Sequence, residues 1–269
     1  MAGMTPQDHR DCGLALFEAE RDRKQIGLLS QRFPEMDLDD AYAVQDAMLA
    51  ARDAAGFRRI GWKIGLTSRA MQEALQITTP DSGVLYDDML FPNGGQIPAD
   101  RFIQPRVEAE IAFVLKADLE GDNLTREDVL AATDYVTPAL ELLDTRIIRK
   151  DPVTGAIRKV TDTISDNAAN GGLVLGEGRF DASTTDLRWM GCILKRDGVV
   201  EETGLGAGVL DDPVTGIIWL AARIAKYGGK LSAGDIVLSG SFIRPVEAPH
   251  GSRFVADYGP FGEVRCDFL

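Results

Sequence analysis

Two glutamates, two residues apart, are the first residues in this chain whose type and spacing suggest chemistry. They lie in Pro105-Arg106-Val107-Glu108-Ala109-Glu110-Ile111-Ala112-Phe113-Val114-Leu115, which runs from Ile111 into branched and aromatic apolar residues and so reads as a strand. Side chains two apart on a strand share a face, so the carboxylates of Glu108 and Glu110 stand side by side. Like charges at that spacing repel, and burying an ionised carboxylate without a partner is costly, so the pair needs water or a cation. A hard divalent ion such as Mg2+ takes oxygen ligands and keeps several waters, which suits a site of a few carboxylates. The same pattern also fits the wet face of an edge strand. Further on, Pro138-Ala139-Leu140-Glu141-Leu142-Leu143-Asp144 sets one carboxylate in a run of leucines. Alone, Glu141 reads as an exposed acid on an amphipathic fragment; beside the other two it supplies a third oxygen ligand.

Lys63 is the second candidate. It sits between two glycines in Gly61-Trp62-Lys63-Ile64-Gly65, a short apolar strand, and partial desolvation there lowers a lysine's pKa and opens proton exchange near neutral pH. A surface lysine with a buried stem is the plainer alternative. Thr78-Thr79-Pro80-Asp81-Ser82-Gly83 reads as a turn, from which Asp81 reaches back to hold Lys63 charged and oriented.

The elements around these residues follow from periodicity. Helices are expected from about Asp11 to Leu29 and from Asp39 to Ala55, the second capped by Asp39 or Asp40, with a further helix from Ser68 to about Leu75. Thr125 starts another helix that ends before Pro138. Residues Asp144 to Lys159 are basic and turn-rich, fitting a mobile loop over a site or a solvated connection. Thr161 to Gly172 is dense in short polar residues and glycines. Its Ser165 and Asn167 are candidates for substrate contact, although the same composition fits a packed turn capping its own backbone. A strand (Asp186 to Lys195), a helix (Pro213 to Tyr227), a strand (Asp235 to Ser239) and a closing hairpin (Arg253 to Phe268) complete the chain.

Composition bounds the function. The chain has 269 residues, enough to bury a large core, and a formal net charge of -13, which argues against a nucleic-acid or anionic-membrane partner. Its three cysteines lack metal-type spacing and fit a reducing cytosol, and the two histidines, His9 and His250, lie near the start and in a turn, so neither a zinc site nor a histidine-based triad is expected. No apolar run approaches a membrane span and no signal-peptide core opens the chain, so a soluble cytoplasmic protein is expected.

Together, Gly61 to Ser68, Pro80-Asp81-Ser82-Gly83, Arg106-Val107-Glu108-Ala109-Glu110, Pro138-Ala139-Leu140-Glu141 and Asp162-Thr163-Ile164-Ser165-Asp166-Asn167-Ala168 resemble the hydratase and decarboxylase family of meta-cleavage pathways, in order, from about Asp39 to the C-terminus. Asp186-Leu187-Arg188-Trp189, Glu201 to Gly204 and Gly240-Ser241-Phe242-Ile243-Arg244-Pro245-Val246 are most similar to its diacid-acting hydratases of homoprotocatechuate (4-hydroxyphenylacetate) degradation. The resemblance implies a mixed, β-rich α/β fold: a helical N-terminal segment (1–60) followed by a fumarylacetoacetase-like β-roll with peripheral helices (61–269). It also implies a Mg2+ or Mn2+ site at Glu108, Glu110 and Glu141, catalytic Lys63 and Asp81, a small 2-oxo-enoate diacid as substrate, and a homo-oligomer. Arg244 is then the expected reader of the distal carboxylate, since a guanidinium binds carboxylate bidentately. Some diacid hydratases have His before the lysine; Trp62 stands here, so no histidine at that place moves a proton. Competing readings are a pentenoate hydratase, a 4-oxalocrotonate decarboxylase, a carbon–carbon hydrolase of the same fold and a non-catalytic partner subunit.

Overall fold

The computed structural model describes residues 3–69, 72–73, 77 and 79–269. Helix α1 (Pro6–Asp22) opens at Thr5, whose hydroxyl and the Asp8 carboxylate form a reciprocal capping box, and it stops where Arg23 turns left-handed at φ 51°. It therefore starts earlier and ends earlier than the apolar pattern predicts. A short helix, α2 (Leu29–Arg32), intervenes before α3 (Leu38–Ala54), which is capped by Asp37 with Asp40 closing the box, rather than by Asp39 or Asp40. Cys12 and Leu16 of α1 and Val44 and Met48 of α3 build a core that Ile147 and Ile164 from the second half of the chain complete. The expected helix from Ser68 to Leu75 falls partly outside the described residues; Arg69, Gln72 and Glu73 are helical.

Among the described residues, one sheet runs in the order β2 (Asp81–Tyr86), β1 (Arg59–Gly65), β10 (Ile236–Leu238), β5 (Arg106–Leu115), β6 (Thr133–Leu143), β7 (Asn170–Leu175) and β3 (Leu90–Phe91), with β11 (Val246–Glu247) beside β5. A second contains β4 (Gly95–Ile97), β13 (Glu263–Phe268), β12 (Arg253–Asp257), β8 (Gly191–Arg196) and β9 (Val199–Leu205). Val107 and Phe113 of β5, Leu194 of β8, Phe254 of β12 and Leu220 of helix α6 (Pro213–Ala225) belong to one buried cluster, so the main core lies between the sheets and under α6. Each such side chain contributes about 1.5–3 kcal/mol by leaving water. The fold is the expected mixed, β-rich one with peripheral helices. Helices α4 (Arg126–Ala132, capped by Thr125) and α5 (Val160–Ser165) complete the described set.

Three local expectations are corrected. Asp81 is the first residue of β2, not part of a turn, because pairing with Gly65 overrides the turn composition and Pro80 stands just ahead of the strand, where no ladder donor is needed. Strand β5 is central, paired with β10 on one side and β6 on the other, so Glu108 and Glu110 are not on a wet edge. Residues Asp144, Thr145, Arg146 and Ile147 are buried rather than a mobile loop. Their charge is spent inside: Arg146 Nε donates to Asp166 Oδ1 at 2.5 Å and its Nη1 and Nη2 to the Asn170 and Asp166 carbonyls, both at 2.6 Å. Only the stretch beyond Lys150 turns outward, closed by a bridge to Ile157.

Removing one member of a buried ion pair leaves the other charge uncompensated, at a cost of about 3–5 kcal/mol. Asp166→Asn is therefore expected to lower the unfolding free energy by roughly that much, read from the denaturant midpoint. An unchanged midpoint would mean that Arg146 needs no counter-ion.

Candidate functional site

The acidic centre is made by strand register. In the β5–β6 ladder Glu108 faces Glu141 and Glu110 faces Ala139, so cross-strand pairing brings Glu141 onto the face that Glu108 and Glu110 already share. One carboxylate oxygen from each lies within 4.8 Å of the others. Glu110 and Glu141 are fully buried, and Glu108 is half-buried at the cavity. Glu110 Oε2 accepts a hydrogen bond from Gly240 N at 2.8 Å, whereas Glu110 Oε1 and both oxygens of Glu141 have no hydrogen-bond donor among the described residues. Buried polar atoms are almost always hydrogen-bonded, so converging orphaned carboxylate oxygens fit a hard cation. Burial, reinforced by Glu141, pushes the Glu108 carboxyl up to about 8 and holds that of Glu110 well above the usual range. From the loop after β12, the Tyr258 hydroxyl lies 2.8 and 2.7 Å from the carbonyls of Glu110 and Ala139, fastening the two ligand-bearing strands at this row.

Lys63 and Asp81 reach the same place from β1 and β2. Strand β10 separates β1 from β5 but ends at Leu238, and the chain turns away at Gly240 with φ +117°. Past that end the sheet opens, and the buried Lys63 ammonium crosses to within 3.3 Å of Glu141 Oε1. Asp81 is not its salt-bridge partner, contrary to expectation. Both groups do converge over Gly65: a Cβ there would meet Asp81 Oδ1 at 2.2 Å and Lys63 Nζ at 3.1 Å. The Asp81 oxygens make no hydrogen bond among the described residues. The expected downward shift of Lys63 is also reversed. Burial alone lowers its pKa, but Glu141, Asp81, Glu108 and Glu110 together raise it, so Lys63 is held charged. Asp81 is raised by burial despite the opposing pull of Lys63. Trp62 packs on the opposite face of β1 and does not line the cavity.

A cavity of about 150 Å3 opens over Lys63, Asp81 and Glu108, room for a small acid rather than a nucleotide. The remaining predicted contacts lie elsewhere. Ser165 is buried with its hydroxyl toward the Ala41 carbonyl of α3. The Asn167 amide accepts from Val84 N at 2.8 Å and donates to Val84 O at 3.0 Å, acting as a strand partner for β2. Arg244 is 79% exposed and held by Glu202, while its neighbours Ile243 and Pro245 line the cavity. The wall near Asn167 is instead Ala168 and Ala169, set in a left-handed turn with φ of 47°, 52° and 59° at residues 167–169. Non-glycine residues in that region cost about 1–3 kcal/mol each and persist where surrounding structure over-determines them. Thr163, inside the polar stretch but not singled out, also lines the cavity. His9 pairs with Asp40 and His250 with the Leu269 carbonyl, so neither serves this site.

No family model matches the chain. It is 51% identical over 254 residues to the 2-oxo-hept-4-ene-1,7-dioate hydratase of Escherichia coli, covering 94% of this chain and 95% of that protein. It is 39% identical over 265 residues to the 2-keto-4-pentenoate hydratase of Paraburkholderia xenovorans, covering 98% and 96%. The 4-oxalocrotonate decarboxylase of Pseudomonas putida G7, solved with magnesium and adipate, superposes with a TM-score of 0.93 at 31% identity over 100% of both chains. The fumarylpyruvate hydrolase of Pseudomonas aeruginosa shares the fold at a TM-score of 0.56 and 14% identity, covering 79% of this chain and 89% of that one.

The raised carboxyls set a pH dependence. A group with a higher pKa folded than unfolded binds more protons in the folded state, so stability falls as pH rises between the two values. The metal-free protein is accordingly expected to lose stability between about pH 4.5 and about pH 8, and Mg2+ to restore it most at the upper end. Glu141→Gln and Glu108→Gln are expected to weaken Mg2+ binding in calorimetric titration; wild-type affinity in both would reject the ligand set.

Proposed function

Because the chain belongs to the hydratase and decarboxylase family with the fumarylacetoacetase-like fold, we propose that it is a divalent-metal-dependent hydro-lyase that adds water to 2-oxo-hept-4-ene-1,7-dioate, giving 4-hydroxy-2-oxoheptanedioate. The observation that carries this reading is the set of orphaned oxygens on Glu110 and Glu141 beside a buried, charged Lys63. Glu108, Glu110 and Glu141 would hold the Mg2+ or Mn2+ ion. When bound, it polarises the 2-oxo acid head and stabilises negative charge on the C2 oxygen.

The protein's own groups do the rest. Lys63, kept protonated by four surrounding carboxyls, delivers a proton to C5 of the 2-hydroxydienoate form while the C2 hydroxyl gives up its own proton, which restores the ammonium, and an α,β-unsaturated ketone is left. Asp81, with both oxygens free of hydrogen bonds and its proton affinity raised by burial, takes a proton from the water that adds at C4. Return of that proton from Asp81 to C3 completes the product and frees the carboxylate again. Leu66, Ile243 and Pro245 give the cavity an apolar wall that keeps bulk water off the dienolate.

Identity favours the diacid hydratase over the pentenoate hydratases and the decarboxylase, 51% against 39% and 31%. The complete constellation in one chain favours an enzyme over a non-catalytic partner, and the engaged histidines disfavour a hydrolase that relies on a histidine base. The reading includes homoprotocatechuate catabolism, a cytosolic location, supported by three buried free cysteines, and a homo-oligomer, supported by exposed Trp189, Val199 and Val200 around β8 and β9.

Loss of dienol absorbance with the purified chain tests the proposal. Turnover is expected to vanish with EDTA and return with Mg2+, with no CO2 released. Lys63→Ala is expected to lower kcat by about 10²–10⁴-fold while Mg2+ binds as tightly as before or more tightly, since a neighbouring positive charge is gone. Full turnover in Lys63→Ala would remove the lysine from the mechanism.

A further inference from the structure

Arg158 is a charged side chain placed beside the cavity with no hydrogen-bonded role that accounts for its whole head group. Its side chain is only 8% exposed, and its Nη2 makes no hydrogen bond although Asp166 Oδ2 lies 3.2 Å away. Asp166 is already engaged: Arg146 Nε takes Oδ1 at 2.5 Å, and the backbone N of Arg146 and of Ile147 take Oδ2 at 2.9 and 3.3 Å. The other acid near Arg158, Asp162, is equally committed, to Ser30 N, Ser30 Oγ and Lys159 N. Asp166 balances the charge, but among the described residues the Nη2 donor has no well-aligned hydrogen-bond acceptor, which leaves it able to take one that arrives from outside.

The geometry says where it arrives. Arg158 Nε donates to Thr163 Oγ1 at 3.0 Å, and Thr163 lines the cavity that holds Lys63, Asp81 and Glu108. Thr163 shares that lining with Asp81, and the charges of Asp81 and Arg158 act on each other. An acid whose head lies at the glutamates would extend its tail toward this group. We propose that Arg158, positioned by the Thr163 hydroxyl, binds the distal carboxylate of a dicarboxylic substrate and so sets the preference for diacids over monoacids. The role sought for Arg244 thus passes to a residue whose guanidinium is desolvated and tied through Nε to the cavity-lining Thr163. This inference rests on the hydratase reading for its kinetic arm, and on binding alone for the other.

The experiment compares kcat/KM for 2-hydroxyhepta-2,4-dienedioate and 2-hydroxypenta-2,4-dienoate, and calorimetric binding of 2-oxoadipate and 2-oxobutyrate to the Mg2+-loaded protein. Arg158→Lys keeps a charge beside Asp166 but loses the fork. The diacid-to-monoacid ratio is expected to fall about 10–100-fold in kcat/KM and in affinity. Thr163→Val, which leaves Asp166 untouched, is expected to lower both ratios about 3–10-fold by freeing Nε. Unchanged ratios in Thr163→Val, together with unchanged ratios in Arg158→Lys wherever that variant keeps the wild-type melting temperature, would overturn the assignment. Wild-type protein that turns over neither dienoate would defeat the hydratase reading instead, and the binding ratios would still decide the role of Arg158.

Discussion

Everything in this structure that bears on chemistry depends on concentrating negative charge where water cannot screen it. Four carboxyl groups, on Glu108, Glu110, Glu141 and Asp81, act on one ammonium, that of Lys63, and most of their oxygens lack protein donors. Such an assembly is unstable by itself, because desolvated like charges raise one another's proton affinity. Lys63 offsets part of that charge, and protons or a bound cation would offset the rest.

The scaffold answers that strain with register and with committed polar groups nearby. Pairing of β5 with β6 aligns Glu108 and Glu141, and the early end of β10 opens the gap through which Lys63 reaches them. Behind the cavity, Arg146, Asp166, Asn167 and Asp162 are tied to backbone groups, which fixes the left-handed turn at 167–169. Polar residues that look functional by type are thus divided between two roles. Arg146, Asp166, Asn167 and Asp162 spend their hydrogen bonds holding the wall, while Asp81 lines the cavity with both its oxygens unpaired among the described residues.

That division explains what was legible in the sequence. The spacing of Glu108 and Glu110 is a local property of a strand, and Glu141 in its leucine run needed only one further piece of context. The rest depends on pairing between distant strands. Asp81 lies in a segment with turn composition whose strand character comes from β1. The direction of the Lys63 shift depends on carboxyls contributed by β2, β5 and β6, which outweigh its burial. Ser165 and Asn167 turn their polar groups to the Ala41 carbonyl and to Val84, and Arg244 reaches solvent beside Glu202, none of which composition foretells. Composition cannot distinguish a guanidinium in solvent from one sealed beside a cavity.

The Tyr258 hydroxyl carries a consequence for how this centre could be rebuilt or inherited. It spans the carbonyls of Glu110 and Ala139 from a loop of the other sheet, so the spacing of the ligand strands is clamped by a layer that contributes no ligand. A transplant of β5 and β6 alone into another scaffold would carry the acids without the fastener that spaces them. The smallest unit that keeps both the acids and their spacing is the two-sheet roll.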